Sequence, residues 1–154
     1  MLVPGGDVVG SGSLPSRDMK LGLNAAASGL STHGGRLDSA GIDYRLAREA
    51  TLRAWRDGDL GREEVCDAQR ELRRNAEFCG DLLDRSCPIC EEHELVEVTY
   101  VFGPRLPKHG RCVTSDKELA RIDARQCESQ GYVVEVCVEC GWNHLTRSKQ
   151  LGGG

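Results

Sequence analysis

Aromatic residues are scarce in this chain, which has two tryptophans, three tyrosines and two phenylalanines among 154 residues. Hydrophobic residues of all types make up only 39%. A small core of this kind rarely stabilises a fold alone, so we expect a staple such as a metal ion, disulfides or a partner surface. The eight cysteines are the residues that could provide it.

An excess of basic charge is also lacking. Twenty-four acidic residues outnumber 20 lysines and arginines, which gives a formal net charge of −4. Non-specific nucleic-acid binding by counterion release needs a basic surface. The charge balance therefore argues against a protein whose main activity is to coat DNA or RNA.

Long apolar runs are absent as well. The sequence has no run of 18 apolar residues, and its N-terminus lacks the basic start and apolar stretch of a secretory signal. We therefore expect a cytoplasmic protein with no membrane span. Paired cysteines in a reducing cytoplasm are more often metal ligands than disulfides.

Both ends of the chain have the composition of tails. Residues 1–41 are rich in Gly, Ser and Ala with little hydrophobic periodicity, and residues 151–154 end in three glycines. Such sequences do not bury enough apolar surface to order themselves. We predict a disordered N-terminal tail over 1–41 and a short C-terminal tail over 151–154.

The segment 42–85 has the periodicity of two helices. Asp43 is a candidate N-cap for a helix that runs to Trp55 or Arg56, and a turn at residues 57–59 precedes a second helix over about 62–78. The apolar stripe of the first helix would consist of Tyr44, Ala47, Thr51, Ala54 and Trp55. The pattern predicts an antiparallel helical hairpin.

The segment 86–150 has the alternation of β-strands, at 95–102, at 132–138 and from Trp142 to about Ser148. Between the first two strands, an insertion over about 103–130 contains a Gly/Pro-rich loop and a helix. Ser115 and Glu118 form a capping box that opens this helix, and Leu119 and Ile122 would be its inward anchors. The predicted fold class is α+β, with an N-terminal helical hairpin followed by a β-sheet that carries a helical insertion.

Two C-x-x-C knuckles are the most specific feature of the sequence. They are Cys87-Pro88-Ile89-Cys90 and Cys137-Val138-Glu139-Cys140, and Gly141 follows the second. Two intervening residues allow a tight turn to point both sulfurs at one ion, and four sulfurs match tetrahedral zinc. We predict one structural zinc ion held by Cys87, Cys90, Cys137 and Cys140, so that the sheet predicted over 86–150 is a zinc ribbon with a helical insertion. Disulfides, a redox motif and an iron–sulfur cluster are the alternatives.

The remaining four cysteines lack knuckle spacing; they are Cys66, Cys79, Cys112 and Cys127. Cys79 falls on the apolar stripe of the second predicted helix, where a thiol acts as a small hydrophobic group. Their simplest interpretation is ordinary reduced thiols. The alternative is a second metal site that includes His93 or His109.

Catalytic patterns are missing. The sequence contains no P-loop, dinucleotide-binding fingerprint or nucleophile elbow. A catalytic zinc keeps an open coordination position, whereas four knuckle thiolates leave none. We expect a protein that is not an enzyme and has no small-molecule substrate.

The knuckles and their flanks resemble a family of small actinobacterial zinc-ribbon proteins catalogued as a domain of unknown function. The resemblance covers about residues 42–150 and is carried by CDAQRELRRNAEFCG, CPIC, LVEVTYVFG and YVVEVCVECGWNHLTRS. It implies a cytoplasmic bacterial protein with two cysteine knuckles, and it implies no activity.

The partner is expected to be a protein. Bacterial zinc ribbons commonly bind transcription or translation machinery, so we expect docking on a large assembly such as RNA polymerase, by analogy of fold alone. Direct RNA or DNA binding and association with the ribosome are the alternatives. The candidate partner surface follows the second knuckle and consists of Trp142, Asn143, His144, Arg147 and Lys149, whose aromatic and basic groups could meet bases and phosphates.

Overall fold

The computed structural model of the chain describes residue 37 and residues 40–153. Nearly all of the predicted N-terminal tail therefore lies outside the described residues. Leu37 belongs to that predicted tail, yet its side chain is buried against Val133 and Leu151 in the core. Leu151 also begins the predicted C-terminal tail, but it lies in the last strand, so that tail starts too early in the prediction.

Six strands form one antiparallel sheet. Their bounds are β1 Ile42–Asp43, β2 Asp81–Ser86, β3 Glu94–Phe102, β4 Arg111–Val113, β5 Glu128–Val136 and β6 Asn143–Gly152. The strand order is β1-β6-β5-β3-β2. Strand β4 is outside this order and pairs with residues 99–101 of β3. With helices on both faces of this sheet, the α+β fold class is confirmed.

Four helices accompany the sheet, at α1 Arg45–Arg56, α2 Arg62–Val65, α3 Arg70–Cys79 and α4 Asp116–Asp123. One face of β3 carries Val98 and Tyr100, which pack against α3. The opposite face carries Val101, which packs with Leu119 and Ile122 of α4. Because both faces are covered, β3 is buried along most of its length.

The predicted helix over 62–78 is wrong in its middle. Residues 66–69 are not helical and separate α2 from α3. The backbone N–H of Ala68 donates to the carbonyl of Gly141 at 2.9 Å, so this segment bonds to the second knuckle instead of continuing a helix. A tertiary backbone bond has outweighed a good local helical pattern.

The buried stripe of α1 also differs from the prediction. Arg48 and Leu52 are its buried residues, whereas Ala47 is exposed. The predicted stripe counts apolar residues alone. The helix instead buries the charged Arg48, because its guanidinium group donates to the buried carboxylate of Glu135. The helix begins at Arg45, and Asp43 accepts the N–H of that residue at 2.9 Å.

Two strand boundaries were also misplaced. The sequence pattern places residues 81–85 at the end of the hairpin, but Asp81–Ser86 form β2 and pair with β3. Strand β5 begins at Glu128 and runs through Gly131, which the sequence placed before the strand. The capping box of α4 is confirmed, since Ser115 Oγ accepts the N–H of Glu118 at 3.1 Å.

None of the helices in the described part of the chain has the length and apolar content needed to cross a membrane.

Candidate metal centre

The first knuckle turns the chain from β2 into β3. The N–H of Cys87 donates to the carbonyl of His93 at 2.8 Å, and the N–H of Glu91 donates to the carbonyl of Cys87 at 3.0 Å. The N–H of Ile89 points at Cys87 Sγ at 3.4 Å. Glu91 completes the turn with φ of 59°, a left-handed conformation that is unfavourable for a residue with a side chain.

The second knuckle turns the chain from β5 into β6 with nearly the same hydrogen bonds. The N–H of Cys137 donates to the carbonyl of Trp142 at 2.8 Å, and that of Gly141 donates to the carbonyl of Cys137 at 2.9 Å. The N–H of Cys140 points at Cys137 Sγ at 3.5 Å. Here a glycine, Gly141, takes the left-handed position with φ of 93°.

The sheet brings the two knuckles together. Strands β3 and β5 pair with Val96 opposite Val136, so the start of one strand and the end of the other lie side by side. As a result, the sulfurs of Cys87, Cys90, Cys137 and Cys140 all lie within 4.8 Å of one another, and they could hold a metal ion. Among the described residues, they form the one group of three or more potential ligands.

The four thiols differ in exposure. Cys87 and Cys137 are fully buried, whereas Cys90 and Cys140 are half-buried. Burial raises the pKa of Cys87 and of Cys137. Burial acts in the same direction on Cys90, but hydrogen bonds from the backbone of Glu92 and the ring of His93 outweigh it and lower the pKa of Cys90 to about 6.

A small hydrophobic cluster surrounds the four sulfurs. It joins α1, α2 and both knuckles through Leu52, Val65, Ile89, Leu95 and Trp142. Cys87 and Cys137 belong to the same cluster. The cysteines are thus part of the core at this end of the molecule, as expected for a core too thin to be stable without a staple.

Cys66 lies beside this centre, although it has no C-x-x-C spacing in the sequence that would predict this position. Its sulfur is 3.6 Å from Cys140 Sγ and is the donor of that contact. Burial, followed by the hydrogen bond with Cys140, raises the pKa of Cys66 to about 12. The sequence analysis missed this residue because the helix break that places it depends on a bond to the distant Gly141.

The other cysteines lie away from the centre. Cys79 ends α3, and Cys112 lies opposite Tyr100 in the β3–β4 pairing. Burial raises the pKa of Cys112 to about 12, and its neighbour Cys79 acts in the same direction. The predicted alternative of a second metal site is not present among the described residues, since these thiols join no third ligand.

The predicted partner surface is not presented to solvent as expected. Trp142 and His144 are 0% and 1% exposed, so neither ring is available to stack on a base. Asn143, Arg147 and Lys149 are half-buried. The sequence predicts a strand from Trp142 to about Ser148 but not its place in the sheet, and β6 is an interior strand that lies between β1 and β5.

Trp142 instead helps to bind a buried carboxylate. Its Nε1 donates to Glu135 Oε2 at 2.7 Å, and Arg48 Nε donates to the same oxygen at 2.7 Å. Arg85 lies 3.8 Å from the other oxygen of Glu135. The fully buried Glu135 therefore fixes α1 and the strand after the second knuckle to the sheet.

Glu135 belongs to a row of ionisable residues across the sheet. The pairing places Asp81, Glu97, Glu135 and His144 next to one another on four strands. Burial raises the pKa of Glu97 to about 7, and the charge of Glu135 adds to the effect. Alternation along 95–102 places Glu97 on the strand face opposite Val96 and Val98, but it does not reveal that helices cover both faces.

Comparison with known proteins gives a family and no activity. A family model described as a family of unknown function, DUF5318, matches residues 36–154. Uncharacterised proteins of Mycobacterium bovis and Mycobacterium tuberculosis are each 40% identical to this chain over 111 residues, which is 72% of this chain and 81% of the relative. No solved structure matches the chain. The chain belongs to the DUF5318 family of unknown function.

Proposed function

We propose that Cys87, Cys90, Cys137 and Cys140 bind one structural zinc ion in a zinc-ribbon module. The spacing of the sulfurs supports this proposal. The Sγ atoms of Cys87 and Cys140 are 3.6 Å apart, and those of Cys90 and Cys137 are 3.8 Å apart. A tetrahedral site with Zn–S bonds of about 2.3 Å has sulfur–sulfur separations of about 3.8 Å.

The chemistry of the donors favours a structural ion over a catalytic one. Four sulfurs fill a tetrahedral shell and leave no position for water or substrate. Two of the four, Cys87 and Cys137, are fully buried. Backbone N–H groups point at sulfur in both knuckles, which stabilises thiolates and fixes their direction.

Metal analysis tests the zinc proposal. Protein purified under reducing conditions should contain about one zinc per chain, and a strong chelator should unfold the metal end because binding and folding are coupled. The Cys140→Ser variant should lose the metal. Cys79→Ser is a matched control, since Cys79 is equally half-buried but lies outside the four-sulfur group, and it should keep the metal. Full zinc retention in Cys140→Ser would overturn the assignment.

We further propose that the zinc-stabilised fold is a non-catalytic interaction factor that docks on a large protein assembly, with the transcription machinery as the leading class. Large apolar side chains on the surface support a protein partner. Phe78 and Leu82 are 75% and 70% exposed at the junction of α3 and β2, and Leu46 on α1 is 87% exposed. Exposed apolar patches mark interaction sites, whereas single exposed side chains do not, and Phe78 and Leu82 lie only four positions apart at this junction.

Direct nucleic-acid binding is the weaker candidate. Trp142 and His144, the rings predicted to contact bases, are buried. Arg147, predicted to contact phosphate, lies 3.8 Å from the carboxylate of Asp43. The net charge of −4 adds no general attraction for phosphate. A protein surface is therefore the better match for this chain.

Capture of partners from native cytosol separates the two candidates. A protein partner should remain bound after nuclease treatment and at moderate salt, and the double variant Phe78→Ser/Leu82→Ser should lose it. Leu46→Ser changes another exposed apolar side chain and shows whether the loss is specific to the α3–β2 junction. Loss of all partners with nuclease, or a steep decline of binding between low and moderate salt, would favour nucleic acid instead.

A further inference from the structure

Residues 66–68 are held firmly against the second knuckle. The N–H of Ala68 donates to the carbonyl of Gly141, and Asn143 Nδ2 donates to Asp67 Oδ1 at 3.0 Å. A Cβ atom added at Gly141 would lie 2.9 Å from the carbonyl oxygen of Cys66, so the two segments are in close contact. These contacts fix the backbone of Cys66 next to the second knuckle.

The sulfur of Cys66 is as close to Cys140 as the sulfurs of the metal centre are to one another. The Cys66–Cys140 separation is 3.6 Å, the same as that between Cys87 and Cys140. Cys66 is nevertheless outside the group of four whose sulfurs are all mutually close. An ion bound by those four thus leaves Cys66 as an uncoordinated thiol beside one ligand.

Partial exposure together with a neighbouring thiol distinguishes Cys140 from the other ligands. Cys87 and Cys137 are fully buried, which leaves Cys90 and Cys140 within reach of a small oxidant. The neighbour of Cys90 outside the centre is the His93 ring, at 3.8 Å. Cys140 therefore combines partial exposure with a second thiol that the metal does not hold.

We propose that Cys66 and Cys140 form a thiol pair that a hydroperoxide oxidises to a disulfide, with release of the metal. This inference rests on the proposed zinc centre. A disulfide has a sulfur–sulfur bond of about 2.05 Å, so the two sulfurs must approach by about 1.5 Å, a distance within reach of side-chain rotation at half-buried positions.

The reaction has two steps. The Cys140 thiolate attacks the hydroperoxide, so that an S–O bond forms, the O–O bond breaks, and the released alkoxide takes a proton from solvent to become an alcohol. Cys66 then attacks the sulfenic sulfur, so that the S–S bond forms, the S–O bond breaks, and hydroxide leaves as water with the Cys66 proton. Two thiols lose two electrons, and the hydroperoxide is reduced to alcohol and water.

Disulfide formation removes one of the four ligands. Three sulfurs remain, and two of them, Cys87 and Cys137, are held in the hydrophobic cluster around the centre. Three sulfurs would hold zinc less tightly than four, so the remaining ligands would release the ion and the hydrophobic cluster would lose the cross-link between its two knuckles. Reduction of the disulfide restores the fourth ligand and allows the ion to return.

The test uses the zinc-loaded full chain and hydrogen peroxide. Released zinc is followed with a metallochromic dye, and peptide mass spectrometry maps the disulfides. Wild-type protein should release zinc as a Cys66–Cys140 disulfide appears, and a thiol reductant should reverse both changes. Cys66→Ser should start with full zinc, but its Cys140 sulfenic acid has no Cys66 thiol to convert it to a disulfide and should proceed to sulfinic acid in excess peroxide, so that the reductant restores less zinc than in the wild type. Cys79→Ser should match the wild type, because Cys79 is not at the centre.

Two results would overturn the inference. One is zinc release from Cys66→Ser that the reductant reverses as fully as in the wild type; the other is a wild-type disulfide map in which Cys140 is joined to a cysteine other than Cys66. A wild-type chain without zinc before peroxide is added would instead overturn the proposed zinc centre. In that case the disulfide map of the metal-free chain alone decides whether Cys66 and Cys140 pair.

Discussion

The buried carboxyl group of Glu97 gives the protein a calculable response to pH. Its side chain is 5% exposed and lies directly opposite Glu135 in the β3–β5 pairing. Burial raises the pKa of Glu97 from 4.5 to about 7. The carboxylates of Glu135 and Asp81 act in the same direction, while the guanidinium groups of Arg85 and Arg147 oppose it.

The sign of the effect follows from proton binding. The folded chain holds the Glu97 proton more tightly than the unfolded chain does, so this contribution to stability is complete below about pH 4.5. It is lost as the pH rises through about 7. A pKa difference between 4.5 and about 7 corresponds to roughly 3 kcal/mol of unfolding free energy at 1.36 kcal/mol per pKa unit.

The substitution Glu97→Gln keeps the shape of the protonated carboxyl group and removes its titration. We expect the unfolding free energy of the variant, minus that of the wild type, to grow by about 2.5 kcal/mol from pH 5 to pH 8. Urea denaturation at several pH values measures it, and the contribution of the metal cancels in the difference. Glu77→Gln, at an exposed position of α3, is the control and should show no such trend.

A difference that stays constant with pH would refute this reasoning. So would a Glu97→Gln variant that is less stable than the wild type at pH 8, because it would show that the ionised carboxylate stabilises the fold.

Three further predictions concern the knuckles and the ion pair. Glu91→Gly should raise the unfolding free energy by up to about 1 kcal/mol, measured by denaturation, because glycine adopts the left-handed conformation without strain; a clear loss would contradict the turn geometry. Gly141→Ala should lower the unfolding free energy by about 1–2 kcal/mol and weaken metal retention, because the added Cβ meets Arg73 and the Cys66 carbonyl. Unchanged stability would argue against the close contact between residues 66–68 and the second knuckle. Arg48→Met should cost about 3–5 kcal/mol because it leaves Glu135 charged and buried, and adding Glu135→Gln should recover much of that loss; no recovery would mean that packing dominates.

Local patterns predicted the parts of the fold that depend on neighbouring residues. The alternation of 95–102 matches β3, and the Ser115–Glu118 capping box matches the start of α4. The knuckles could be read in the same way, since two residues between cysteines already define a turn. The clustering of the four sulfurs follows once β3 and β5 pair.

The parts that depend on distant residues could not be read from the sequence. The break between α2 and α3 follows from the bond between Ala68 and Gly141, which are 73 positions apart in the numbering. Arg48 turns inward because Glu135 lies beneath α1. Trp142 is polar at one edge and apolar elsewhere, so the same sequence is compatible with an exposed platform or with a buried donor to a carboxylate. Only tertiary contacts distinguish the two.

One knuckle precedes β3 and the other follows β5, so both lie at the same end of this strand pair. This arrangement affects how the chain reaches its native strand alignment. If these strands paired two residues out of alignment, the same faces would still be buried, but the two knuckles would move apart by about 7 Å. Sulfur must lie about 2.3 Å from a shared ion, so the misaligned chain could not bind it with all four ligands. Metal binding would thus stabilise the correctly aligned sheet over sheets whose strands are misaligned by two residues.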